Sequence, residues 1–173
     1  MVEIRPFRNA DWSEVWPLLR ETFATGDTYS FSPDSPEAEI RRIWIEAPSA
    51  TFVACDPQGQ LVGTYFIRPN QPGLGDHVCN CGYVVSPSAQ GQGIAARMCE
   101  HSQQWAVANG FRAMQFNFVV ATNERAVRLW QRLGFSVVGR LPGAFRHNLL
   151  GFVDALVMFK QLVPPDVVYH PPP

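Results

Sequence analysis

Residues 2–7 alternate between apolar and polar, as in a first strand with one buried face. From Asn9, Ala10 and Asp11 the period lengthens. Trp12, Val15, Trp16, Leu19 and Phe23 then fall on one side of a helix. Pro17 interrupts that pattern, so the spacing predicts a kink or a late start. After a loop at residues 26–31, Ser35-Pro36-Glu37 opens a second helix with proline at its first position, running to about Ala47. Two apolar runs, 52–55 and 61–68, flank Asp56-Pro57-Gln58-Gly59 and predict a hairpin.

A third long strand is expected over 77–86, ended by Pro87, and a glycine-rich turn feeds a helix over 92–109 that Gly110 closes. A strand at 113–120, a helix at 124–133 and strands at 136–141 and 152–160 complete the series. In the strand at 113–120, Met114, Phe116, Phe118 and Val120 would share one apolar face, with Gln115 and Asn117 on the other. Hairpins alternating with helical crossovers indicate an α/β fold with a mixed sheet. Residues 1–162 read as one domain and 163–173 as a proline-rich tail with little to pack. Phe145-Arg146-His147 reads as a solvated loop before the last strand.

Composition narrows the partners. With 46% hydrophobic and 17% charged residues and a formal net charge of −1, the chain is globular and lacks the basic excess that nucleic acid or an anionic membrane favours. No apolar run approaches the roughly 20 residues of a membrane span, and no apolar leader follows Met1, so a cytoplasmic protein is expected. Cys55, Cys79, Cys81 and Cys99 lack the paired spacing of a zinc site, and His77, His101, His147 and His170 are scattered. Buried small hydrophobes are the plainer reading of the thiols, and no metal is expected.

The segment Tyr83-Val84-Val85-Ser86-Pro87-Ser88-Ala89-Gln90-Gly91-Gln92-Gly93-Ile94-Ala95-Ala96 carries the chemistry. A strand stops at proline and glycines occupy the mouth of a helix, where unpaired N–H groups and the helix dipole favour a pyrophosphate. A plain strand-to-helix turn would also use glycines. Gly91-x-Gly93-x-x-Ala96 fits the dinucleotide fingerprint too, but that fold wants an acid about 20 residues on, and 110–122 contains none.

Gln90-x-x-Gly93-x-Ala95 is similar to the Q/R-x-x-G-x-G/A motif of the GNAT acetyltransferases. Residues 123–135, from Asn123-Glu124-Arg125-Ala126 through Leu129-Trp130 to Gly134-Phe135, resemble the family's N-x-x-A-x-x-L-Y-x-x-x-G-F segment. The resemblance spans about residues 2–162. It implies a mostly antiparallel sheet with splayed central strands flanked by helices, and acetyl-CoA as co-substrate. On this resemblance, the backbone of Val84 and Val85 pairs with the pantetheine arm. The amides of Gln90, Gly91, Gln92, Gly93, Ile94, Ala95 and Ala96 hold the pyrophosphate. Asn123, which also suits a helix N-cap, contacts the cofactor arm or a water near the thioester and is the catalytic candidate. The family's tyrosine, a proton donor to the leaving thiolate, is replaced by Trp130, which cannot donate. A thiol ionises near 8.5, so its thiolate leaves tolerably unassisted.

Asn80 and Asn117 lie on the two strands that splay in this fold, where neutral amides can bind a carboxylate or carbonyl. Together with Asn123 and Gly26-Asp27-Thr28-Tyr29 they resemble the branch that acetylates proline analogues such as azetidine-2-carboxylate, which makes Asn80, Asn117 and Tyr29 the substrate-binding candidates. The reaction expected is direct transfer to the amine of a small amino or imino acid. A water chain near Asn123, or a loop carboxylate such as Asp27, takes the proton, a strand amide near Val84 or Val85 meets the oxyanion, and no cysteine is acylated. A polyamine or antibiotic acceptor, a CoA-binding regulatory or interaction domain without turnover, and a homodimer all stay open.

Overall fold

The computed structural model describes residues 2–164. Seven strands form one sheet in the order β1-β2-β3-β4-β5-β7-β6: β1 Glu3–Pro6, β2 Ala50–Cys55, β3 Leu61–Pro69, β4 Val78–Val85, β5 Ala113–Val120, β6 Ser136–His147 and β7 Gly151–Gln161. Every neighbouring pair is antiparallel except β4–β5, the one parallel pair, because α3 (Ile94–Ala108) carries the chain across between them. α1 (Trp12–Ala24) and α2 (Glu37–Arg41) cover one face, and α3 and α4 (Glu124–Arg132) cover the other.

Alternation along β2, β3 and β4 feeds two cores. Val15, Leu19, Phe23, Ile40 and Trp44 pack with Val53, Phe66 and Val84 on the α1/α2 side. Tyr65, Cys79, Cys81, Met98, Met114, Phe116 and Trp130 pack on the α3/α4 side. All four cysteines are free and buried.

Several expectations need correction. The first helix does not start late, the second of the two alternatives at Pro17. It runs from Trp12 to Ala24 with that proline inside it, on the exposed side, where water can serve the carbonyl left without an N–H partner. Pro36 is the N-cap of the second helix (φ −62°, ψ 142°), not its first residue, and the helix widens into a π-turn over Arg42–Glu46. Residues 145–147 are not a loop. β6 continues to His147, with Phe145 buried opposite Val153. Sequence periodicity missed this because two irregularities interrupt the β6–β7 register. At one, Asp154 accepts the Gly143 N–H at 2.9 Å and the Arg140 guanidinium at 2.7 Å.

A bulge also breaks β5. Phe116 faces Met158 and Val119 faces Leu156, so Asn117 and Phe118 share the space of one residue. Phe118 therefore leaves the face of Met114 and Phe116, contrary to the simple alternation. Its ring meets Phe145, and Val119 packs toward the core in its place. Val163, the first residue of the expected tail, donates its N–H to the Arg112 carbonyl, as Leu162 just before it does; residues 165–173 lie outside the described residues.

Candidate functional site

β4 and β5 pair only at Val78–Ala113 and Cys79–Met114, then part. Asn80 bridges the start of the gap by donating from Nδ2 to the Gln115 carbonyl at 2.9 Å. Two backbone bonds on the β3 side, Ser86 N–H to the Val62 carbonyl and Asn70 N–H to the Val78 carbonyl, set the parity of β4. Even-numbered residues of β4 exchange bonds with β3; odd-numbered ones turn their N–H and C=O toward the gap. Val84 is thus paired with Thr64 in β3, while Tyr83 and Val85 turn their main-chain groups to the gap. The Tyr83 carbonyl accepts the Tyr29 hydroxyl at 2.8 Å. A cleft of about 720 Å³ passes through the opening, reaching both faces of the sheet.

At one end lies the glycine turn. Gly91 (φ +83°) and Gly93 (φ +76°) both take the left-handed conformation, and Gly93 is the N-cap of α3. Other residues take that conformation at a cost of about 1–2 kcal/mol. A β-carbon at Gly93 would meet nothing within 4 Å, and one at Gly91 would meet only Nη2 of Arg125 at 3.7 Å. The helix mouth is therefore open to an outside group, and no side chain caps the first N–H groups of α3. This arrangement fits a pyrophosphate. Gln90, Gly91, Gly93, Ile94, Ala95 and Ala96 line the cleft together; Gln92 does not.

Asn123 caps α4, its Oδ1 accepting the Ala126 N–H at 3.2 Å. Its Nδ2 has no hydrogen-bond partner among the described residues, and the residue lines the cleft. Trp130, only 8% exposed, packs against Tyr83 and Phe116 with centroids 5.2 and 5.1 Å apart. Burial pushes the Cys81 thiol well up and the Cys99 thiol up to about 11, so neither is a thiolate at neutral pH.

On the α1/α2 side the loop after α1 forms the wall. The β6–β7 turn holds it: Asn148 donates its N–H to the Gly26 carbonyl at 3.1 Å and its Nδ2 to the Thr25 carbonyl at 2.6 Å. Tyr29 sits among Phe23, Phe31 and Trp44, and this enclosure pushes its phenol pKa up, so the hydroxyl stays protonated. Thr28 Oγ1 is buried without a hydrogen-bond partner among the described residues, and Thr28 lines the cleft. Asp27 is the one carboxylate among the described lining residues.

The three asparagines lie in one cleft, but their amides differ in freedom. Asn117 accepts from Gln115 Nε2 at 2.9 Å and donates to Asn70 Oδ1 at 2.6 Å, so both its ends are engaged. Asn80 spends one N–H on Gln115 and keeps its Oδ1 without a partner among the described residues. Sequence reasoning gave no role to Thr28, Arg68 or Arg125, all of which line the cleft. Thr28 and Arg125 lie inside the quoted segments at positions to which the motifs assign no role, and Arg68 carries no motif at all.

The family whose sequence model matches, over residues 12–135, is described as the Acetyltransferase (GNAT) family. The chain belongs to that family. A solved GCN5-related N-acetyltransferase from Kribbella flavida is 39% identical with a TM-score of 0.88, covering 92% of this GNAT chain and 97% of that one. A phosphinothricin acetyltransferase from Sinorhizobium meliloti, solved in complex with AcCoA, shares the fold at 22% identity and TM-score 0.81, covering 97% and 95%. N-acetyltransferase aca1 of Schizosaccharomyces pombe is 38% identical over 114 residues, 64% of this chain and 54% of that protein. The GNAT chain spans about half or less of the length of the curated relatives it matches. Among its described residues no three His, Cys, Asp or Glu side chains come together as metal ligands, and no helix is long and apolar enough to cross a membrane.

Proposed function

We propose that the protein is an acetyl-CoA-dependent N-acetyltransferase acting on a small amino or imino acid, with proline analogues such as azetidine-2-carboxylate as the leading candidates. One observation carries the reading: one cleft through the β4–β5 gap joins an open glycine turn on one side to a polar wall with Asn80, Asn117 and Asp27 on the other. The orphaned hydroxyl of Thr28 supports a polar ligand in the second half.

Acetyl-CoA supplies an activated acetyl thioester. The amides from Gly93 to Ala96 would hold its pyrophosphate, with Arg125 beside Gly91 adding positive charge. The main-chain groups of Tyr83 and Val85 turned toward the gap would face its arm, while those of Val84 point to Thr64 in β3. An alkylammonium must lose a proton before it can attack, which costs roughly 4–5 kcal/mol at neutral pH for a group with a pKa near 10.4. Asp27, or water held by the free Nδ2 of Asn123, takes that proton. A β4 N–H turned into the gap is the donor available to the developing oxyanion. Trp130 donates no proton. It closes the apolar side of the cleft against Tyr83 and Phe116.

Thiol release from acetyl-CoA tests the reading, with azetidine-2-carboxylate, proline, other amino acids, polyamines and aminoglycosides as acceptors. Turnover with amino or imino acids is the expected result. Turnover with polyamines or aminoglycosides alone would replace the acceptor class and leave the acetyltransferase. Tight acetyl-CoA binding without turnover on any amine would favour a CoA-binding regulatory domain.

A further inference from the structure

Three arginines line the cleft. Arg125 and Arg132 belong to α4, and Arg125 reaches toward the glycine turn. Arg68 is different. It lies on β3 directly opposite Asn80, on the α1/α2 side of the sheet. Its guanidinium makes no ion pair or hydrogen bond with any described residue and stands over the Phe66 ring, 5.3 Å from the centroid. A half-buried guanidinium is an open fork of donors shaped for a carboxylate.

The platform beneath it is held in place. Phe66 packs edge-on against Trp44 with centroids 4.8 Å apart. Across from Phe66 stands Gly82, where a β-carbon would come within 2.6 Å of the ring and 3.2 Å of the Tyr29 hydroxyl. Glycine there lets Phe66 lie close to β4 and sets the position of the arginine two residues on. Meanwhile Asn117 has both amide ends engaged by neighbours, and Asn80 has given one N–H to the sheet. Neither amide brings a positive charge.

We propose that Arg68, rather than the amides of Asn80 and Asn117, binds the carboxylate of the acceptor and sets the enzyme's selectivity for amino acids over other amines. This rests on the amino-acid reading of the preceding subsection. With Asp27 on the facing loop, the acceptor half of the cleft carries one cation and one carboxylate, the charge pattern of a zwitterion.

The probes are azetidine-2-carboxylate and its carboxamide, which keep the same ring and amine and differ in one charge. Their binding is measured by calorimetry on protein saturated with CoA, where no turnover occurs, alongside kcat and KM with acetyl-CoA. Wild type should bind the carboxylate at least tenfold more tightly. Arg68→Gln should weaken the carboxylate roughly ten- to a hundredfold, through KM more than kcat, with carboxamide and CoA binding unchanged. Arg68→Lys should restore part of the loss. If Arg68→Gln keeps the wild-type preference, or wild type binds both probes equally, the assignment of Arg68 is overturned and the amino-acid reading stands on its turnover. If wild type binds neither probe and acetylates no amino acid, both ideas fail.

Discussion

Replacing Gly93 by valine separates the strain of the turn from its role in binding. Gly93 has φ +76°, and a β-carbon there meets nothing within 4 Å, so the new side chain starts in open space. The expected cost is the left-handed backbone alone, about 1–2 kcal/mol and at the upper end for a β-branched residue. For a domain of this size that lowers Tm by roughly 2–8 °C. Gly59, in the β2–β3 hairpin, has φ +83° and equally open surroundings, so Gly59→Val carries the same conformational cost far from the cleft. Both variants should therefore lose similar stability. Only Gly93→Val should weaken acetyl-CoA, by at least tenfold, or about 1.4 kcal/mol, because its side chain fills the space at the helix mouth. Calorimetric titration with acetyl-CoA and thermal unfolding of the same samples measure both effects. Unchanged affinity in folded Gly93→Val, or an equal loss in Gly59→Val, would refute the assignment of the turn.

Other residues yield sharper or simpler tests. Asp11 accepts two hydrogen bonds from the Arg5 guanidinium at 2.8 Å and one from the Arg8 N–H at 2.7 Å, so Asp11→Ala should cost about 2–3 kcal/mol in urea unfolding. The Arg5 hydrogen bonds hold the Asp11 carboxyl below the usual carboxylate range. Its stabilisation is therefore complete above about pH 4 and lost as pH falls through the lowered folded value, so the gap between wild type and Asp11→Ala should close in acid. A gap that does not narrow at all as pH is lowered from about 6 to about 2 would contradict this. Asn123→Asp keeps a capping oxygen but lacks the free amide donor, so it should retain stability within about 0.5 kcal/mol and lose tenfold or more in kcat; full activity would leave Asn123 only its cap. Cys81→Ala and Cys99→Ala should keep most turnover, since both thiols stay protonated. An acetyl-cysteine trapped in wild type, with an inactive but folded variant, would show covalent transfer instead.

How legible was this molecule before its chain was folded? Element order, the hairpin at residues 56–59, the boundaries of β5 and the turn at Gly91–Gly93 are written locally. They depend on side-chain period, on proline lacking an N–H, and on glycine's access to positive φ. It was the resemblance to the GNAT motifs, and not these local rules, that put Asn80, Asn117, Asn123 and the glycines in one site, and all of them line the cleft.

Other features depended on neighbours in space. Pairing with β7 and the hold of Asp154 on Gly143 and Arg140 lengthen β6, though its own residues read as strand and then loop. The bulge at Asn117 and Phe118 reverses which side chains face the core, and it arises in the register with β7, not in the alternation of β5. Which backbone groups of β4 are free follows from its register with β3; no residue type at Val84 or Val85 reveals it. Arg68 shows the same division. In the sequence it is a charge near the end of a strand, with nothing to mark it. Only the pairing of β3 with β4, the absence of a β-carbon at Gly82 and the parting of β4 from β5 put in the cleft a guanidinium that pairs with none of the described residues. Period and punctuation are short-range properties, whereas strand register is set by the packing of the whole sheet.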